Sequence, residues 1–140
     1  MPWSIVEPPG SEIVEFTLSG TIPPTELTAA AKQLLDRLEK KERVRMLTDL
    51  TTLVGGHNIV DLYVLVDEIH RRGLAGRFRE AIVLPKAAAT AEMAGFWETA
   101  CTNRGIDVRL FTDREKATAW LLEGSGARPK PQEGGSAGKR

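Results

Sequence analysis

Asp49, Thr51 and His57 bring an acid, a hydroxyl and a base into one short stretch of this chain. A hydrolytic or transfer reaction would need all three within hydrogen-bond reach, which spacing does not establish. An aspartate closing a strand more often ties down the loop that follows, so no catalytic residue is assigned. The same stretch, Thr51-Thr52-Leu53-Val54-Gly55-Gly56-His57-Asn58, is stronger as a binding loop for a ligand or partner. It leaves the C-terminal end of a strand and enters a helix, the place where open α/β sheets hold ligands. Gly55 and Gly56 would let the backbone approach a bound group, and free N–H groups at the helix start attract anions. The competing reading is a turn that needs glycine's freedom, with Asn58 as an ordinary helix cap. The loop has neither the G-x-x-x-x-G-K-[ST] phosphate pattern nor G-x-G-x-x-G. His57 and Asp61 stand four residues apart and His70 lies on the same helix, but three or four ligands do not converge, so no metal and no cofactor are expected.

Three further groups carry two readings each. Trp97 and Trp120 are core or pocket wall, and an aromatic wall at Trp97 would serve an apolar ligand. Cys101 follows Trp97 by four residues with no histidine beside it to lower its pKa, and reads as a small packed hydrophobe. Arg71, Arg72, Arg77, Arg79 and Lys86 surround Leu74 and Phe78. They form either a basic, partly apolar lip for anionic lipid or an acidic partner, or cations finishing a helix end in a solvated loop.

The elements that must position these residues are read from periodicity. Trp3 to Val6 and Ser11 to Ile22 alternate as strands, and the Pro8-Pro9-Gly10 turn between them predicts an antiparallel pair. Pro23 and Pro24 open a helix running to about Lys41, with Leu27, Ala30, Ala31, Leu34, Leu35 and Leu38 as its apolar stripe. Val44 to Leu50 is the next strand, and Ile59, Leu62, Tyr63, Val66 and Ile69 mark a second helix. Ala81 to Leu84 reads as a strand covered on both faces. A third helix spans about Ala88 to Arg104, with Met93, Trp97 and Ala100 turned inward and Phe96 at the margin. Ile106, Val108 and Leu110 then alternate as a last strand, and Thr112 and Glu115 form a T-x-x-E capping box for a final helix carrying Ala117, Trp120 and Leu121. The order β-β-α-β-α-β-α-β-α predicts an α/β fold: a mixed, mostly parallel sheet of about five strands with four helices and right-handed crossovers. One domain over residues 1–123 is expected, followed by a disordered tail over 124–140 built from Gly, Pro, Ser and Lys/Arg.

Composition narrows the partners. The 140 residues are 41% hydrophobic, enough for one core, and the formal net charge of zero gives no global attraction to nucleic acid. The zero hides a basic tail on a mildly acidic body, which adds only weak, salt-sensitive contact with an anionic membrane. A single cysteine excludes an internal disulfide. No charged segment followed by an apolar run opens the chain and no apolar run approaches ~20 residues, so a cytoplasmic protein is expected. Nothing in the sequence fixes the oligomeric state; an exposed edge strand or the third helix could pair two copies.

The VRLFTDREKATAWL ending, the MLTDL strand with its following loop and helix, and the third helix carrying Trp97 resemble the STAS superfamily, and more closely its SpoIIAA-like family, relatives of the lipid-handling CRAL-TRIO fold. The resemblance covers roughly residues 3–123. It implies a non-enzymatic binding module that recognises a regulatory protein, acting through the second-helix start (Thr51, Thr52, Gly55, Gly56, His57, Asn58) and the face carrying Trp97. The alternative it implies is a carrier or sensor for a small apolar, lipid-like ligand with peripheral membrane contact, in which Arg71, Arg72, Leu74, Arg77 and Phe78 form a movable lip. Phosphorylated antagonists of this type look like D-x-S-G at the second-helix start. Here His57-Asn58-Ile59-Val60 occupies that place without a hydroxyl, which disfavours a phosphoswitch.

Overall fold

A computed structural model describes residues 2–123. The expected tail over 124–140 lies outside the described residues. The strands are β1 (Trp3–Val6), β2 (Ile13–Leu18), β3 (Gly20–Thr21), β4 (Val44–Asp49), β5 (Leu53–Gly55), β6 (Phe78–Val83) and β7 (Asp107–Phe111). The helices are α1 (Pro24–Leu38), α2 (Ile59–Arg71), α3 (Ala88–Thr102) and α4 (Arg114–Leu122), with a short 3-10 turn at Ala75–Arg77.

Five strands form one sheet in the order β1-β2-β4-β6-β7. β1 pairs antiparallel with β2 across the Pro-Pro-Gly turn, while β2, β4, β6 and β7 run parallel. The mixed sheet, its sense and its four helices match the expectation. Successive crossovers step across the sheet in one direction, so right-handed connections deliver α1, α2 and α3 to the same face. There they cover Phe16, Leu18, Met46, Phe78 and Ile82, with Leu34, Leu35, Val66, Ile69, Ala94 and Cys101 contributed by the helices. α4 packs on the opposite face, where Ala117, Trp120 and Leu121 meet Ile13, Leu47, Ala81 and Val83.

Several boundaries differ from the periodicity. The run Ser11–Ile22 is two strands. Gly20 takes a positive φ of 63°, which turns the chain away from the main sheet, and β3 pairs with β5 instead. β6 begins three residues before Ala81, because Phe78 and Glu80 continue the inward alternation that ends at Ile82. The capping box at Thr112 is not formed. Asp113 is the N-cap of α4, its side chain accepting from the Glu115 and Lys116 N–H groups, because a carboxylate one residue later reaches the free donors. Tyr63 and Phe96 stand about half exposed.

Candidate functional site

The region between the sheet and helices α1–α3 is imperfectly filled. A cavity of about 100 Å3 remains there. Its walls are apolar: Phe16, Leu34, Met46, Ile69, Met93 and Trp97 are among them. Strand alternation brings Phe78, Glu80 and Ile82 of β6 and Met46 and Thr48 of β4 onto this face. An engineered apolar cavity of 150 Å3 stays dry and takes benzene, so the present volume suits a guest of about four to six heavy atoms. A long acyl chain does not fit without helix movement.

Glu80 is the exception in this wall. It is 3% exposed, with Oε2 accepting from the Thr48 hydroxyl at 2.5 Å and Oε1 from the Trp97 indole N–H at 2.8 Å. Burial pushes its carboxyl pKa up, opposed by the hydrogen bonds from Thr48 and Trp97. The bond to Glu80 fixes the Trp97 indole on α3, where its ring lines the cavity. Cys101 is buried and packed as expected, and burial, with Glu80 nearby, pushes its thiol up, which leaves it a poor nucleophile.

His57 enters the same cavity from the loop before α2. Its Nδ1 is buried and, among the described residues, is the buried side-chain polar atom that meets no hydrogen-bond partner. Burial lowers the imidazole pKa, partly offset by Asp61, so the neutral ring is favoured.

The other loop residues have structural duties. Asp49 Oδ1 accepts from the Thr51 N–H at 2.9 Å and from the Thr51 hydroxyl at 2.6 Å, while Oδ2 accepts from Arg114 at 3.2 Å. That is the loop tie, and it does not join Asp49 and Thr51 to His57 as an acid–base set. Thr52 is exposed and its carbonyl accepts from the Gly20 N–H at 2.9 Å. Gly55 and Gly56 have φ of 152° and 109°, and a Cβ on Gly56 would stand 2.6 Å from the Ile22 carbonyl oxygen. The glycine pair therefore answers to the β3–β5 contact, in which the Ile22 N–H donates to the Gly55 carbonyl at 2.8 Å. Asn58 is the exposed N-cap of α2 in a reciprocal box with Asp61. Of the seven loop and wall residues singled out from sequence, His57 and Trp97 reach the cavity.

The basic, partly apolar lip is corrected. Leu74 and Phe78 are buried, since the chain after α2 turns inward to start β6, so no apolar edge faces outward there. Arg72 pairs with Asp36 at 2.9 Å and Glu68 at 2.8 Å, and Arg77 donates to the Lys41 and Glu39 carbonyls. Arg71 pairs with Glu68, and Arg79 meets Asp107 at 3.1 Å and the Trp120 carbonyl at 2.8 Å. These contacts tie the segment to α1 and α4.

Glu80, Thr48 and Thr90 were missed by periodicity. The signal for Glu80 was present in Phe78-Arg79-Glu80-Ala81-Ile82, where a charged residue takes an inward position between two large apolar ones. Among the described residues no three His, Cys, Asp or Glu side chains group to hold a metal, and no helix is long and apolar enough to cross a membrane.

Comparison with known proteins agrees with this architecture. Among solved structures, the chain is similar to an uncharacterised protein of the DUF3478 family with a SpoIIAA-like fold from Shewanella loihica PV-4, at 20% identity and a TM-score of 0.55. The match covers 85% of this chain and 91% of that one. No curated protein matches the sequence. The family profile described as SpoIIAA-like matches residues 13–122, most of the chain. The sheet order, the helices on its two faces and that match place the chain in the SpoIIAA-like family.

Proposed function

We propose that this STAS-type module is a non-enzymatic binder of a small apolar ligand, held in the cavity between the sheet and α1–α3. The observation that carries the reading is the cavity itself: about 100 Å3 walled by apolar side chains, with its one carboxyl already hydrogen-bonded to Thr48 and Trp97. The pocket is partly open, and its apolar walls gain by exchanging contact with water for contact with an apolar guest. The reading is tested by the mass of the natively expressed full chain under native and then denaturing conditions. A small apolar molecule released on denaturation is the expected result. A bare mass, together with no binding of added apolar guests, refutes the reading.

A regulatory protein partner is the second reading. It is favoured by the outer surface of α2, where Val60, Tyr63 and Val64 stand exposed, with Val54 on β5 and Phe96 on α3 also exposed. Capture of such a partner by the wild type and its loss in Val60→Lys with Val64→Lys would support it.

A further inference from the structure

Resting on the cavity reading, we propose that guest binding is linked to a proton on Glu80: the pocket takes an apolar guest while this carboxyl is neutral and releases it as the carboxyl ionises. The geometry is that of one carboxyl set into an apolar wall with no cation paired to it. Glu80 stands on β6 with Met46 of β4 and Val108 of β7 as its in-register neighbours. Its two oxygens meet Thr48 and Trp97, which are uncharged donors. Across the pocket, α1 presents Leu34 and Leu35, α2 presents Leu65 and Ile69, and α3 presents Ala94. The titratable groups on this side are His57, from the loop before α2, and Cys101 on α3. Arg104, next along from α3, pairs with Asp67 at 3.0 Å. The arginines of the two central strands, Arg45 and Arg79, serve the opposite face, where they donate to the Leu121 and Trp120 carbonyls of α4.

A carboxylate in such a wall depends on water in the partly open pocket for the solvation that two hydrogen bonds leave unmet. An apolar guest displaces that water, which penalises the charged form and hardly touches the neutral one. Burial already acts in this direction on the Glu80 carboxyl, against the bonds from Thr48 and Trp97. Binding is reciprocal: the factor by which the guest tightens the proton is the factor by which the proton tightens the guest. Affinity is therefore full below the guest-free midpoint of Glu80. It falls as pH climbs from that midpoint to the guest-bound one, and is level beyond. Neither state unfastens Trp97, because the neutral acid donates its own hydroxyl to Thr48 and still accepts from the indole. The neighbouring groups do not mimic the effect. Burial holds the His57 pKa down, so its charge appears on the acid side and would weaken binding as pH falls, the opposite sign. Burial also keeps the Cys101 thiol neutral.

The test uses isopentane, which has no ionisable group, titrated into the full chain across pH while the Trp97 indole N–H resonance is followed. Wild-type affinity should fall about tenfold from its acid plateau to its alkaline one, within the usual range for coupling between two sites. In Glu80→Gln the affinity should stay constant over the same range. A second measurement needs no variant and stands even if Glu80→Gln fails to fold. The Trp97 resonance senses whether its acceptor is an acid or a carboxylate, so in the wild type it should titrate at higher pH with isopentane bound than without. A wild-type affinity independent of pH, an equal fall in Glu80→Gln, or a Trp97 titration unmoved by the guest overturns the linkage and leaves the cavity reading standing. If isopentane does not move the Trp97 resonance at any pH, the cavity reading fails, and this inference with it.

Discussion

Replacing Ala94 with leucine should stabilise the protein by about 2 kcal/mol. Ala94 is buried on α3 and lines the cavity beside Met93 and Trp97. Two routes give the magnitude. Filling an enclosed cavity of about 100 Å3 would gain roughly 2.4 kcal/mol at about 24 cal/mol per Å3, an upper bound for this partly open pocket. Leucine adds three carbons, which at about 0.8 kcal/mol per buried methylene gain roughly the same. Imperfect fit trims the sum toward 2 kcal/mol. In a domain of this size that raises the melting midpoint by roughly 6–10 °C. Urea unfolding followed by tryptophan fluorescence measures it as a higher midpoint at constant slope. The sign is diagnostic, because the same substitution in a filled core overpacks it and costs about 1–3 kcal/mol. A lower midpoint for Ala94→Leu would refute the cavity. The variant should also lose affinity for isopentane, which links the stability gain to the site.

Three further outcomes are expected. Glu80→Gln tests the buried carboxyl. An acid whose pKa is raised by folding holds its proton in the native state after the unfolded chain has lost it. Wild-type stability therefore declines as pH rises above about 4.5 toward the raised value, whereas Gln cannot ionise. The stability difference should shift toward the variant across that range in urea titrations, and a pH-independent difference would contradict it. Trp120→Ala should lose about 3–5 kcal/mol, since the indole is buried against Phe111 at 5.7 Å with the Arg79 guanidinium 4.5 Å from its centroid. Near-wild-type melting would place it outside the core. Asp113→Ala should cost about 1 kcal/mol through the lost cap, while the exposed Thr112→Ala should stay within about 0.5 kcal/mol of the wild type.

The frame of the molecule was legible because its elements advertise themselves. The stripe from Leu27 to Leu38 has helical period, Pro8-Pro9-Gly10 forces a reversal, and each later strand returns through a helix. The chain's opposite turn at Gly20 was not legible, because alternation continues through it and only the positive φ separates β3 from β2. At the last helix, Thr112 and Asp113 are both good caps, and periodicity alone cannot choose between adjacent candidates.

The site was legible only in part. Of the residues singled out, His57 and Trp97 line the cavity, while Gly55 and Gly56 serve the β3–β5 contact and Asn58 the α2 cap. What joins His57 to Trp97 is packing between three helices and a sheet, and no sequence spacing records it. Leu74 and Phe78 mislead for the same reason, since their apolar character is equal on a lip and in a core. The cations around them looked free because their partners, Asp36, Lys41 and Asp107, lie far away along the chain.

The space between sheet and helices is an apolar pocket that should admit a small guest without water. A crystal structure determined under xenon pressure tests it most directly, because xenon enters apolar cavities and scatters strongly. A xenon atom should lie among Leu34, Met46, Met93 and Trp97 in the wild type and be lost in Ala94→Leu. A wild-type pocket holding ordered water, or helices closed onto the sheet with no xenon between them, would rule out an apolar binding site there.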